Sequence, residues 1–181
     1  MRKISNEELH RPSVDEFAAM GRIPVVVVLD NVRSAQNVGA FFRTSDAFAI
    51  ERVALCGITA TPPSRDIHKT ALGAELTVEW KHYETTLECV EALKAEGYKL
   101  LSIEQVEGAV MLDELVVDAA ERYALVFGNE VAGVDQAVVD VCDGAIEIPQ
   151  AGTKHSINVS VAGGVVLWPF FMAMRDKLGG K

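Results

Sequence analysis

The sequence predicts an α/β domain with a mostly parallel sheet and helices on both faces. Three observations carry this expectation. Short apolar runs recur along the chain as strand candidates, at Pro24–Asp30, Val53–Cys56, Val78–Trp80, Tyr98–Ile103, Tyr123–Phe127 and Ala145–Ile148. Helical stretches alternate with them, the order that builds parallel sheets of βαβ units. The Pro24–Asp30 run is Val and Leu on both sides, as a strand covered on two faces must be.

Size and composition narrow the field. At 181 residues, 49 % apolar and 24 % charged, the chain is one ordinary globular domain with a full core. We read residues 1–20 as a helical arm and 21–181 as the domain. Met1–Met20 is polar and charged, unlike a signal peptide. Cys56, Cys89 and Cys142 match neither a zinc site nor a disulfide framework, so they are expected as reduced thiols in a cytoplasmic protein. Ile157–Met174 carries no charge over 18 residues. Asn158, Ser160, Gly163, Gly164 and Pro169 fit a buried helix there better than a membrane span. The formal charge is −9, but residues 1–83 are neutral, 84–147 carry −12 and 148–181 carry +3. The acid is confined to the middle, which leaves the other regions open to a nucleic-acid partner.

The elements follow in order. Ser5-Asn6-Glu7-Glu8 and Ser13-Val14-Asp15-Glu16 match the capping box, which suggests two short helices or a helical arm; a frayed polar tail fits as well. After the first strand comes a polar turn, Asn31–Gly39, then a helix through Phe41, Arg43, Thr44 and Phe48. The second strand closes at Gly57. Pro62-Pro63-Ser64 marks a loop, and Asp66–Ala74 a short helix with Arg65, His68 and Lys69 near its start. Thr85–Glu96 is helical and ends at Gly97. Glu107–Glu121 reads as an acidic connection. The strand at Tyr123–Phe127 runs straight into Gly128-Asn129-Glu130. A short helix follows around Val134–Val141. The last helix is expected to begin near Ser156, and it contains Gly163, Gly164 and Pro169. Those three residues cost about 5 kcal/mol together if interior, so packing must compensate. Paired glycines allow another backbone to come close.

Three polar segments lie just beyond strand ends: Asn31–Arg43, Gly128–Gly133 and Pro149–Asn158. In open parallel sheets the ligand crevice lies outside the carboxyl ends of the strands. Asn37, Arg43, Glu130, Ser156 and Asn158 are therefore expected to converge there. Each also has a plain reading. Asn37, Ser156 and Asn158 suit helix caps, Arg43 a solvated helix charge, and Glu130 a surface group near a helix start. Several chemistries are missing. There is no G-x-G-x-x-G, P-loop or G-x-S-x-G. His10, His68, His82 and His155 lack metal-ligand spacing, so no metal is expected.

Three blocks stand out in these segments: Asn37-Val38-Gly39-Ala40-Phe41-Phe42-Arg43-Thr44, Phe127-Gly128-Asn129-Glu130-Val131-Ala132-Gly133-Val134, and Ile148-Pro149-Gln150 through Ser156-Ile157-Asn158-Val159-Ser160-Val161-Ala162. In this order they resemble the motifs of the SpoU (TrmH-type) RNA 2′-O-ribose methyltransferases of the SPOUT superfamily. The resemblance spans about residues 24–175. It implies a C-terminal deep trefoil knot, a homodimer, S-adenosylmethionine as methyl donor and tRNA or rRNA as substrate. By motif match, Ile103, Gly128, Ile148, Ser156 and Ile157 would hold the donor. Arg43 would be the catalytic candidate, with Asn37 orienting it or the ribose, and Glu130 and Asn158 keeping the loops in register. An Arg is a poor base, so Arg43 is expected to bind an RNA phosphate and stabilise the developing alkoxide while that phosphate helps take the proton. Ser45-Asp46 and Phe48-Ala49 stand where many relatives have small residues and a glycine. No separate RNA-binding domain is expected. Arg33, Arg65, Lys69 and Lys154 are the candidate RNA contacts, and RNA affinity is expected to be modest and salt-sensitive. The competing readings are a non-catalytic knotted dimer that binds RNA or a protein, and an unrelated α/β enzyme acting on a small nucleotide.

Overall fold

A computed structural model describes residues 1–5 and 7–178 of the chain. Asn6 of the Ser5–Glu8 box, and residues 179–181 at the end of the expected domain, lie outside the described residues. The elements are α1 (Val14–Ala19), β1 (Ile23–Asp30), α2 (Ala35–Ala47), β2 (Ile50–Cys56), α3 (Arg65–Ala71), β3 (Glu79–Tyr83), α4 (Thr86–Ala95), β4 (Lys99–Ile103), β5 (Val110–Met111), β6 (Tyr123–Phe127), α5 (Gln136–Val139), β7 (Gly144–Glu147) and α6 (Val159–Met174).

The strands form one seven-stranded sheet in the order β3-β2-β1-β6-β4-β7-β5. Every neighbouring pair is parallel. The seventh strand is β5, inside the stretch expected as a plain acidic connection. Two residues are too few to show a pattern, and only pairing with β7 makes them a strand. Helices cover both faces. Phe41 and Phe42 of α2, Ile67 of α3, and Val166, Leu167 and Phe170 of α6 pack on one side of the sheet. Cys89, Val90 and Leu93 of α4 and Val138 of α5 pack on the other. Cys56 and Cys89 are buried free thiols, and Cys142 is half-buried.

The helix starts correct two expectations. Ser34, not Asn37, caps α2, accepting from the Asn37 N–H. The last helix begins at Val159, with Asn158 as its cap, so Ser156 stays in the loop. Two short helices also have tighter limits than the apolar pattern suggested. α3 stops at Ala71, with Leu72 in the left-handed region, and a separate turn covers Ala74–Leu76. α5 is only one turn long.

The two glycines of α6 differ. A Cβ on Gly163 would lie 2.3 Å from Cε1 of Phe41, so α6 lies tight against α2 there. A Cβ on Gly164 would meet nothing within 4 Å. The outer side of α6 exposes Val161, Val165, Trp168 and Met172. Their spacing of four, three and four residues makes one stripe along the helix. No helix among the described residues is long and apolar enough to cross a membrane.

Candidate functional site

The site is built where β1, β6 and β4 end. After β6 the chain folds back on itself. Asn129 and Gly133 exchange backbone hydrogen bonds of 2.9 Å in both directions. A side chain on Gly128 would strike this turn, since its Cβ would lie 2.1 Å from the carbonyl carbon of Gly133. Asn129 braces the fold twice over. Its Nδ2 donates to Asn31 O at 2.7 Å, and its Oδ1 accepts from the N–H groups of Val131 and Ala132.

This turn aims Glu130 at the start of α2. The carboxylate accepts from the N–H of Arg33 at 2.9 Å, the N–H of Ser34 at 3.0 Å and Nδ2 of Asn37 at 2.9 Å. A carboxylate only accepts, so Asn37 must present its Nδ2 there and its Oδ1 elsewhere. That Oδ1 accepts from Nδ2 of Asn158 at 3.1 Å. The Oδ1 of Asn158 in turn caps α6 through the N–H groups of Ser160 and Val161. One side-chain chain thus ties three segments, 93 and 121 residues apart in sequence, into a single unit. Partial burial opposes the charge on Glu130. The N–H of Arg33, the Asn37 amide and further N–H donors outweigh it and hold the carboxyl below its ordinary value.

A cleft of about 460 Å³ opens beside this unit. Ile103, Gly128, Ile148, Ser156 and Ile157 all line it, as do Glu130 and Asn158. Two acidic residues there were not singled out from the sequence. Glu104, at the end of β4, lines the cleft and accepts from the N–H groups of Gln105 and Val134 at 2.8 and 3.0 Å. Asp30, at the end of β1, is buried and accepts from Thr86 Oγ1, Asn31 Nδ2 and the Asp135 N–H. It anchors the Asn31 turn beneath the site. An acid directly after a buried strand was the signal available for both.

Arg43 does not join the cluster. It lies six residues beyond Asn37, so the two side chains point about 120° apart round α2. Its side chain is exposed, with no hydrogen bond or ion pair among the described residues. The expected convergence therefore holds for Asn37, Glu130, Ser156 and Asn158 and fails for Arg43. The basic residues divide as well. Arg33 and Lys154 belong to the segments at the cleft, whereas Arg65 and Lys69 sit on α3. Lys69 is paired with Asp66 at 2.7 Å. Among the described residues, no group of three or more His, Cys, Asp or Glu is placed to hold a metal.

The SpoU rRNA methylase family matches residues 24–168 of this chain. The chain belongs to that family. Among its relatives is the 23S rRNA (guanosine-2′-O-)-methyltransferase RlmB of Vibrio parahaemolyticus, 28 % identical over 97 % of this chain and 68 % of the relative. The tRNA (guanosine(18)-2′-O)-methyltransferase of Thermus thermophilus is 30 % identical over 94 % of this chain and 84 % of its own length. The crystal structure of the A. aeolicus TrmH/SpoU tRNA modifying enzyme superposes with a TM-score of 0.78, at 25 % identity, over 89 % of this chain and 81 % of that one. The AdoMet-bound rRNA methyltransferase of Sinorhizobium meliloti gives 0.75 at 26 % identity, over 92 % and 60 %. The SpoU match takes in Asn37, Arg43, Glu130 and Asn158 together with all of the sheet but Ile23.

Proposed function

We propose that this SpoU-family chain transfers a methyl group from S-adenosylmethionine to a ribose 2′-hydroxyl of tRNA or rRNA. The observation that carries the reading is the Asn37–Glu130–Asn158 unit closing one side of the cleft. The relatives named as rRNA and tRNA 2′-O-methyltransferases support the reaction, and the AdoMet-bound neighbour supports the donor.

The cleft suits the donor chemically. It has the volume of a small-molecule site, apolar walls from Ile103, Ile148 and Ile157, and backbone that comes close because Gly128 has no side chain. When bound, the donor supplies a methyl already activated by its sulfonium centre. The residues of the chain then mainly align an in-line attack. Glu130, Asn37 and Asn158 fix three loops relative to one another, which preorganises the walls. Ser156 and Ile157 close the cleft from the loop before α6.

Arg43 needs a second protomer in this account. The exposed stripe of Val161, Val165, Trp168 and Met172, with open space over Gly164, supports a homodimer seam along α6. α6 packs tightly against α2, so α2 lies beside that seam. Arg43 then serves the partner's cleft, where it holds an RNA phosphate and stabilises the developing alkoxide while the phosphate takes the proton. Arg33 and Lys154 would contact RNA at the cleft, and Arg65 and Lys69 further out. The trefoil knot of the family is expected where the 149–158 loop meets the segment after β4; Gln105 Nε2 donates to His155 O there at 3.1 Å. A cytoplasmic location fits an RNA-modifying enzyme with reduced cysteines.

The test is transfer of radiolabelled methyl from S-adenosylmethionine to total tRNA and rRNA, followed by nucleoside analysis. The expected product is a 2′-O-methylnucleoside. Donor binding with no label in any RNA would overturn the reading in favour of a non-catalytic knotted dimer.

A further inference from the structure

A second hollow, of about 580 Å³, lies between α3 and β3, away from the donor cleft. Pro62, Pro63, Leu76 and Trp80 wall it, and Arg65 and His68 stand at its rim. We infer that this hollow is a nucleotide subsite, where one base of the RNA packs against Trp80 and the prolines while Arg65 holds its phosphate and the outward His68 Nε2 accepts a hydrogen bond from the base or ribose. The inference rests on the proposed RNA substrate and adds a place where the strand is gripped outside the cleft.

The strongest observation is the pair His68 and Glu75. The Glu75 side chain is only 7 % exposed, yet the imidazole it holds is 65 % exposed. Nδ1 of His68 lies 2.5 Å from Oε1 of Glu75, and the Gly73 N–H donates to Oε2 at 3.1 Å. A buried carboxylate is costly unless its partners repay it. Here burial opposes the charge, and the His68 ring with the nearby N–H groups outweighs it, so the carboxyl stays below its ordinary value. A carboxylate accepts only, so Nδ1 carries the hydrogen and Nε2 faces outward. A carboxylate buried to orient an exposed ring is an arrangement for presenting that ring to something.

The surrounding chemistry says what. An aromatic face beside prolines takes any base by stacking, and single-stranded RNA is read this way. Arg65 is exposed with no ion pair among the described residues, while the nearby Asp66 is taken by Lys69. Arg65 is therefore an unpaired cation at the rim, in a chain of net charge −9. The hollow also has a mechanical link to the active site. α3 lies against α2 so closely that a Cβ on Gly39 would sit 2.3 Å from Ile67 O, and Thr70 Oγ1 donates to Gln36 O at 2.9 Å. Gln36 adjoins Asn37. α3 thus joins the hollow to the helix that carries Asn37, and one RNA strand running along both is the path inferred.

The experiment uses the full chain with tRNA and 23S rRNA transcripts carrying 4-thiouridine. Photocrosslinks should map to peptides containing Pro62–Arg65 or Trp80. The Arg65→Ala/His68→Ala double variant should raise the RNA KM about tenfold, with kcat within about twofold, and Arg65→Lys should recover part of the loss. Donor affinity should stay at its wild-type value in the double variant, and Arg65→Ala alone, which leaves the His68–Glu75 pair intact, should raise the RNA KM at an unchanged melting temperature, which separates gripping RNA from holding the fold. An unchanged KM on both transcripts, with crosslinks only elsewhere, overturns the subsite. RNA binding and crosslinking are read whether or not methyl is transferred. Loss of transfer in the wild-type chain would count against the methyltransferase reading, and the crosslink map would still decide the hollow.

Discussion

The two ends of α2 behave differently. At its start, Asn37 is locked between Glu130 and Asn158 by hydrogen bonds of 2.9 and 3.1 Å. Six residues later Arg43 is exposed and unpartnered among the described residues. Both belong to the same sequence motif, so one helix contributes a finished part and an unfinished one. The finished part is local preorganisation: N–H groups, amides and a carboxylate settled before any ligand arrives. The unfinished part is a cation held out for something absent from the single chain. In the proposed account that something is the partner's cleft together with an RNA phosphate.

The sharpest way to break this contrast is to remove the partner. Trp168→Glu places a charge in the exposed stripe of α6 and should convert the dimer to a monomer by sedimentation, with methyl transfer lost. Activity that survives in a proven monomer would place Arg43 in its own protomer's reaction. Next, Arg43→Ala should lower kcat by roughly 100- to 1,000-fold while donor affinity by calorimetry stays within about twofold. Arg43→Lys should keep charge but lose the planar fork, and fall between. Unchanged transfer in both variants would remove Arg43 from the chemistry.

The glycines of α6 sharpen the comparison through stability. Gly163→Ala drives a methyl into the Phe41 ring and should cost about 1–3 kcal/mol in chemical denaturation. Gly164→Ala meets open space within the protomer, so a monomeric background should tolerate or gain from it by up to about 1 kcal/mol. A loss of dimerisation with Gly164→Ala would show that the seam comes as close there as Phe41 does at Gly163.

The smallest effect is on pH. The Glu130 carboxyl sits below its ordinary value in the folded protein. Its contribution is therefore complete above the unfolded value of about 4.3 and is lost as pH falls through the lower folded value. Donor affinity should weaken over that acidic window in wild type, and Glu130→Gln should flatten that part of the profile. An identical acid dependence in both proteins would assign it to other carboxylates.

Much of this is legible in the sequence. Apolar runs such as Val25–Leu29 announce covered strands, and polar stretches after them announce the crevice. β5 was not legible, because two residues become a strand only through β7. The start of α6 was ambiguous for a local reason. Ser156 and Asn158 both suit a cap, and what selects Asn158 includes a bond to Asn37, 121 residues away. An acid at the end of a buried strand marks Glu104 and Asp30, but sequence does not reveal which N–H groups each one meets until the turns close. The exclusion of Arg43 was available from helix phase alone: six residues turn the side chain about 120° from Asn37.

Hybrid dimers test the central claim, that each cleft is completed by the partner's Arg43. Arg43→Ala and Asn158→Ala should each be inactive as homodimers, one lacking the cation and the other an intact cleft. Mixed in equal amounts and allowed to exchange, they form hybrids in which one sound cleft faces one sound Arg43. The account predicts that methyl transfer returns to about a quarter of the wild-type level. A mixture that exchanges subunits yet stays inactive would contradict it.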